Sequence, residues 1–96
     1  MAKGYKSVKI EVTEEDIEKG KQSDGTSCPV ALAMMRATGS TYVYVDYIES
    51  RIAGELIYTP KKAEEFMRDF DSDSEIRPGP FAFEIELEDR EAIVEP

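Results

Sequence analysis

The segment Phe81-Ala-Phe-Glu-Ile-Glu-Leu-Glu88 decides the fold class, because apolar and acidic residues alternate along most of its length. Successive side chains of a strand point to opposite faces, so this period of two predicts a strand with one buried and one solvated face. Glu84, Glu86 and Glu88 would then share the solvated face at intervals of ~6.8 Å. A second alternating stretch, from Val8 to Val12, predicts another such strand near the start of the chain.

Helix signals occur in three places between these two strands. Thr13 followed by acidic residues predicts a short helix, after which Gly20 would adopt a left-handed conformation. The tripeptide Ser27-Cys28-Pro29 predicts the start of a largely apolar helix, with Ser27 or Cys28 as its cap, that ends at Gly39. Thr59-Pro60 predicts a third helix, with Thr59 as its cap and apolar residues recurring at helical spacing.

The middle of the chain predicts a β-hairpin. Residues 42–47 and 52–58 are rich in aromatic and β-branched residues, and only residues 48–51 separate them. The element order is therefore β-α-α-β-β-α-β, which predicts an α+β domain with a mostly antiparallel four-stranded sheet packed on helices. The chain has 96 residues, enough for one core. We assign residues 1–89 to a single domain and residues 90–96 to an acidic C-terminal tail.

The composition argues against several classes of function. The formal charge is 12 − 21 = −9, and an acidic chain repels the phosphates of nucleic acids. The chain has no histidine and a single cysteine, so we expect no histidine-based triad, no histidine-ligated metal and no cysteine-based zinc site. We therefore predict a protein that is not an enzyme, with no catalytic residues, no metal and no other cofactor.

From the sequence we expect no membrane span and no export signal. No stretch approaches the ~20 apolar residues of a membrane span, and the first residues lack the apolar core of a secretory signal. A lone thiol is typical of a reducing compartment. We expect a cytoplasmic protein that binds neither membranes nor nucleic acid directly.

The negative charge is confined to the C-terminal third of the chain. Residues 1–63 hold nine acidic and nine basic residues, whereas residues 64–96 hold 12 acidic and three basic residues, which gives 3 − 12 = −9. One interpretation is an acidic face that mimics nucleic acid in the basic groove of a partner protein. The other is a solvated strand whose charges protect a sheet edge from aggregation. The candidate partner-binding residues are Glu84, Glu86, Glu88, Asp71 and Asp73.

A second candidate site is the loop before the middle helix. Its glycine, hydroxyl groups and helix N-terminal N–H groups are the elements of an anion or phosphate site, although the lysine of a P-loop is absent. The helix dipole there would lower the pKa of the cysteine thiol, but no base accompanies it. Ordinary helix capping is the alternative. The candidate ligand-binding residues are Gly25, Thr26, Ser27, Cys28, Arg36 and Tyr44.

The predicted hairpin concentrates four of the tyrosines. They could form a face that stacks on a base or contacts a protein, since tyrosine is enriched at interfaces. Equally, some could point outward and others pack in the core. These tyrosines are Tyr42, Tyr44, Tyr47 and Tyr58.

Two segments together resemble a group of small uncharacterised proteins from phages and bacteria. Residues 12–20 (VTEEDIEKG) and 27–33 (SCPVALA) match the V-T-x-E-D-I-x-x-G and S-C-P-[IV]-A-L-A motifs of that group, and residues 60–83 are similar to its C-terminal part. The group has no established activity, so the resemblance implies no catalytic residues. It implies a viral or mobile-element accessory gene, a setting in which small acidic proteins inhibit host defence.

Two functional hypotheses follow. The leading one is a non-enzymatic acidic protein that acts in the host cytoplasm and inhibits a host defence protein by docking on its basic surface. The alternative is a protein that sequesters a small ligand or nucleotide with residues 24–28 and the following helix. A homodimer would help this alternative, because two copies can enclose a pocket more easily than one small domain.

Overall fold

The computed structural model describes residues 4–72 and 78–88. Asp73 and the predicted tail, residues 90–96, lie outside the described residues. No helix in the described ranges is long and apolar enough to cross a membrane. The elements are β1 (Tyr5–Val12), α1 (Glu14–Lys19), α2 (Pro29–Thr38), β2 (Val43–Val45), β3 (Glu49–Ile52), β4 (Glu55–Tyr58), α3 (Lys61–Asp71) and β5 (Phe81–Glu88).

The strands form two separate antiparallel sheets. β1 pairs with β5 over eight residues, from Tyr5 opposite Glu88 to Val12 opposite Phe81. β2, β3 and β4 form a three-stranded sheet in chain order. The predicted α+β class is confirmed. The predicted single four-stranded sheet is wrong, because the described part of the chain has five strands divided between two sheets.

The additional strand arises from the segment that was predicted to be the hairpin loop. Residues 49–52 form β3, and the two-residue turn that follows is Ala53-Gly54, with φ angles of 53° and 86°. Positive φ at both positions is typical of a type I′ turn, whose twist suits an antiparallel hairpin. Asp46 makes the preceding reversal, where its Oδ1 accepts the N–H groups of Ile48 and Glu49 at 2.8 and 2.7 Å.

The predicted helix signals are partly confirmed. Thr13 caps α1, Cys28 caps α2, and Gly39 ends α2 with a left-handed φ of 75°. Gly20 was predicted to be left-handed, but its φ is −69°. A Cβ atom at Gly20 would lie 2.5 Å from Cδ of Pro29, so glycine is required there by the close approach of two chain segments.

Thr59 does not cap α3 as predicted. Pro60 occupies the cap position of α3 and supplies no side-chain hydrogen bond. The Thr59 hydroxyl instead donates to the carbonyl oxygen of Asp46 at 2.8 Å and lies 2.7 Å from the Ser50 hydroxyl. This buried pair ties the end of β4 to β3 and to the turn before it.

α2 packs against both β1 and β2 and so joins the two sheets around one core. α3 is held against β5 by a row of stacked phenylalanine rings. Successive centroids along this row, Phe70–Phe66–Phe81–Phe83, are 5.9, 4.7 and 5.5 Å apart. Because the core uses one face of each sheet, the opposite faces are exposed and are the surfaces on which to look for function.

Candidate functional site

The exposed face of the β1–β5 pair is the first candidate site, and we call it the acidic face. Residues opposite one another in an antiparallel pair point to the same side of the sheet. The face carries four carboxylates and one ammonium group, which gives −4 + 1 = −3 among the described residues. Its four cross-strand pairs are Tyr5–Glu88, Ser7–Glu86, Lys9–Glu84 and Glu11–Ala82.

The three predicted glutamates differ in their surroundings. Glu84 Oε1 accepts the Ser7 hydroxyl at 2.7 Å, and its cross-strand partner is Lys9. The side chain of Glu86 is exposed and makes no hydrogen bond or ion pair with any other described residue. Glu88 is half-buried, and its N–H donates to both carboxylate oxygens of Glu55 at 3.0 Å. Glu86 is therefore the most available acidic group of the three.

Three lysines lie at the end of the acidic face that is farther from Glu88. Lys9, Lys61 and Lys62 line an open groove of about 430 Å³ together with Glu84, where α3 begins beside β5. The sequence did not indicate this, because the fold alone brings residues 61 and 62 next to residue 84. The face is thus polarised, with its basic residues beside Glu84 and with Glu86, which has Ser7 and no basic residue opposite it, nearer the other end.

Asp71 belongs to the predicted partner-binding residues but lies away from the acidic face. It ends α3, whereas Lys61 beside Glu84 begins it, and ten helical residues rise ~15 Å. Asp71 Oδ1 accepts the Ser23 N–H at 2.9 Å, and Oδ2 accepts the Tyr47 hydroxyl at 2.6 Å. This second hydrogen bond raises the pKa of Tyr47. Asp71 therefore fastens the end of α3 to two loops.

Asp71 also borders the second candidate site, a pocket of about 300 Å³ that we call the loop pocket. A Cβ atom on Gly25 would lie 2.7 Å from both the Tyr44 ring and the Val45 carbonyl oxygen, so glycine lets this loop close against β2. The lining residues are Ser23, Asp24, Gly25, Cys28, Tyr44, Val45, Asp46, Tyr47, Met67 and Asp71. Three of the predicted ligand residues, Gly25, Cys28 and Tyr44, thus line one pocket.

Four of the N–H groups that could bind an anion at this loop are already occupied. Asp24 Oδ1 accepts the N–H and the hydroxyl of Thr26 at 3.0 and 2.8 Å, which keeps the pKa of Asp24 below its usual value. The Asp24 carbonyl oxygen accepts the N–H groups of Ser27 and Cys28 at 3.2 and 2.8 Å. Cys28 Sγ accepts the Ala31 N–H at 3.5 Å. These contacts are those of helix capping.

The charge of the loop pocket also opposes a phosphate. Asp24, Asp46 and Asp71 line it, and none of its lining residues in the described ranges is basic. Cys28 is only 4% exposed, and burial raises the pKa of its thiol, contrary to the effect expected from the helix dipole. Nowhere in the described ranges do His, Cys, Asp and Glu residues form a group able to hold a metal ion.

Arg36 lies away from the loop pocket, in the last turn of α2, eight residues or ~12 Å along the helix from Cys28. Its Nη1 and Nη2 donate to the two Asp16 carboxylate oxygens at 2.7 and 2.8 Å, and Nη2 also donates to the Glu11 carbonyl oxygen at 2.7 Å. Burial disfavours the charged form of Asp16, but hydrogen bonds from Arg36 and Thr13 outweigh it and lower the pKa of Asp16. Arg36 therefore ties α2 to α1 and β1.

The four hairpin tyrosines divide between surface and interior. Tyr42, Tyr44 and Tyr58 are 80%, 50% and 83% exposed on the outer side of the three-stranded sheet. Tyr47 is half-buried against the core, and the Arg68 guanidinium lies 4.4 Å from the centre of its ring. The sequence left this division open, because two-residue alternation is hard to recognise in strands of three and four residues.

No protein-family model, no curated protein and no solved structure matches this chain. The resemblance to small phage and bacterial proteins therefore stays a prediction.

Proposed function

We propose that this chain is a non-enzymatic binding protein that docks the Glu86–Glu88 end of its acidic face on a basic surface of a partner protein. One observation carries the proposal: Glu86 is exposed on a regular strand, has no described charged partner, and faces Ser7 rather than a basic residue. In the setting that the resemblance implies, the partner is a host defence protein. Mimicry of nucleic acid is one form that such docking could take.

The β1–β5 pair suits this role because it presents its charges on a rigid support. Eight cross-strand pairs hold the two strands in register, and the phenylalanine row fixes β5 to α3. The spacing of the carboxylates is thus set before a partner arrives, which reduces the entropy cost of binding. A field of one sign also steers a partner of opposite charge and raises the association rate.

Charge alone gives little affinity, because an exposed ion pair contributes only ~0.2–1 kcal/mol. An apolar anchor is needed as well, and Tyr5 provides one. It is 63% exposed, lies directly across from Glu88, and belongs to a residue type that dominates binding energy at interfaces. We therefore place Tyr5 at the centre of the contact and the glutamates around it.

The test is native mass spectrometry of the protein purified from its host, followed by affinity measurements with the captured partner. Substituting Glu86→Gln and Glu88→Gln together should weaken binding about two- to thirtyfold, and raising the salt concentration should weaken it further. A matched control, Glu14→Gln with Glu18→Gln, removes the same charge from exposed positions on α1 and should leave binding unchanged.

Binding that survives the change of all three glutamates to glutamine would refute the proposal. So would an equal loss in the control, because only the overall charge would then matter. The Tyr5→Ala variant gives a second readout, since the anchor predicts a faster dissociation rate with little change in the association rate.

A further inference from the structure

We propose that β4 is a dimerisation edge, on which a second copy of this chain places its own β4 in antiparallel orientation. The two three-stranded sheets would then form one continuous sheet of six strands. This surface is separate from the acidic face, so the inference does not depend on the docking role proposed above.

The hydrogen-bond pattern of the hairpin identifies the backbone groups of β4 that have no partner among the described residues. The turn Ala53-Gly54 closes the hairpin at one end, and the Thr59 N–H donates to the Ile48 carbonyl oxygen at 2.8 Å at the other end. Hydrogen-bonded pairs alternate along an antiparallel ladder. Leu56 and Tyr58 therefore direct their N–H and C=O groups away from β3, and β3 is the only described strand to which β4 is hydrogen-bonded.

Each of the other sheet edges has some protection, whereas no described residue hydrogen-bonds to the backbone at the outer edge of β4. At the edge of β2, the Val45 N–H donates to the Gly25 carbonyl oxygen at 2.9 Å. Arg36 covers part of the β1 edge, and the β5 edge carries the glutamates of the acidic face. Charged side chains and covering loops are the usual means of blocking strand addition. β4 has instead Leu56 and Tyr58 at these positions, 49% and 83% exposed.

The side chains of this edge complement their own copy. With the twofold axis at Ile57, Leu56 of each copy lies opposite Tyr58 of the other, and the free groups of these residues form about four hydrogen bonds. Aromatic and aliphatic residues make favourable cross-strand pairs. Pro60 has no N–H and therefore ends the ladder, which keeps the contact short. Because the same surface of both copies takes part, the contact has twofold symmetry and is closed.

The charges near β4 are compatible with this pairing. Glu55 lies on the opposite side of the sheet from Tyr58, where its carboxylate accepts the Glu88 N–H. On the exposed side of the sheet, Arg51 lies across from Leu56, and Glu49 lies across from Tyr58. Because Leu56 of one copy is opposite Tyr58 of the other, Arg51 of one copy and Glu49 of the other lie in the same cross-strand row. Because each chain carries −9, long-range repulsion opposes association, and salt should strengthen the dimer.

Sedimentation equilibrium of the full chain tests the inference. A contact this short predicts a reversible dimer with a Kd between roughly 10 µM and 1 mM. Leu56→Lys and Tyr58→Glu should each weaken the dimer about two- to thirtyfold. Combined in one chain, they should restore it, because each introduced ammonium group then faces an introduced carboxylate of the other copy. Tyr42→Glu, on the same sheet face but next to β2, is the control and should have only the small effect of one added charge.

Three results would overturn the inference: a wild-type chain that stays monomeric up to about 1 mM, a double variant no better than the single ones, or a Tyr42→Glu variant that weakens the dimer equally. Circular dichroism of each variant establishes that it is folded. Salt separates this inference from the docking proposal, since salt should strengthen the β4 dimer and weaken docking through the acidic face.

Discussion

Replacing Arg36 with glutamine removes three short hydrogen bonds at once. Two go to the carboxylate of Asp16, which is only 4% exposed, and one goes to the carbonyl oxygen of Glu11. Without them, the N–H of Thr13 remains as the described donor to that buried carboxylate. An unpaired buried charge is costly, so the substitution should destabilise the fold.

The exposure of the Arg36 and Asp16 side chains determines how much stability the substitution should cost. Breaking a fully buried ion pair costs ~3–5 kcal/mol, and an exposed pair is worth ~0–1 kcal/mol. The Arg36 side chain is 52% exposed whereas that of Asp16 is 5% exposed, so water screens one partner only. We expect a loss of about 2 kcal/mol in the free energy of unfolding, between these limits.

Urea unfolding followed by circular dichroism measures this loss. The matched control is Lys19→Gln, which breaks an ion pair of 3.4 Å with Glu15 whose side chains are 70% and 73% exposed. It should cost no more than ~0.5 kcal/mol. If the two substitutions cost the same, the assignment of Arg36 to a stabilising contact is refuted.

Acid provides an independent check on the same pair. The pKa of Asp16 is lowered in the folded protein, below its ordinary value of 3.8, so its charged form stabilises the fold fully above that value. This contribution is lost as the pH falls through the folded pKa. The difference between wild type and Arg36→Gln should therefore shrink below pH 3.8, and a difference that stays constant there would contradict the argument.

Three further predictions concern single residues. Gly20→Ala places a Cβ atom 2.5 Å from the Pro29 ring and should lower the melting temperature by roughly 5–15 °C. Gly79→Ala is the control and should leave the melting temperature unchanged, because nothing lies within 4 Å of the added Cβ atom. Cys28 should react slowly with a thiol reagent in the folded protein and rapidly in urea, and fast labelling of the folded state would contradict its burial. Ala53→Asn should raise the urea midpoint, because asparagine suits the positive φ of 53° better than alanine does, and an unchanged or lower midpoint would count against the type I′ assignment.

The sequence predicted those strands and helices that have a long alternating pattern or a recognisable cap. Phe81 to Glu88 alternates over eight residues, so its period is unambiguous, and it is a strand with the expected inner face. The residues around Pro29 left Ser27 or Cys28 as the cap of α2, and the structure has Cys28. The cap at Thr13 was also predictable, because it follows from a few neighbouring residues. The burial of Cys28 was not, since the rest of the fold rather than the helix dipole determines the pKa of its thiol.

The remaining features depend on contacts that residue order does not reveal. β2 has three residues and β3 has four, too short for a clear period, which is why the sequence predicts a loop where most of β3 lies. Gly54 and Asp46 were the signals that could have located the two turns. Nearness in sequence suggests that Arg36 assists the loop at residues 24–28, yet α2 separates it from Cys28 by ~12 Å and Asp16 binds the guanidinium instead.

The pairing of β1 with β5 also affects the order in which the protein folds. Tyr5 meets Glu88 across 88 − 5 = 83 positions of sequence, whereas β3 meets β4 across a two-residue turn. Pairing of distant segments is slow, since their contacts stabilise the chain only after a long loop has closed at a cost in conformational entropy. We expect the β2–β4 hairpins to form early and the acidic face to assemble last. A partner that recognises this face would therefore distinguish fully folded chains from partly folded ones.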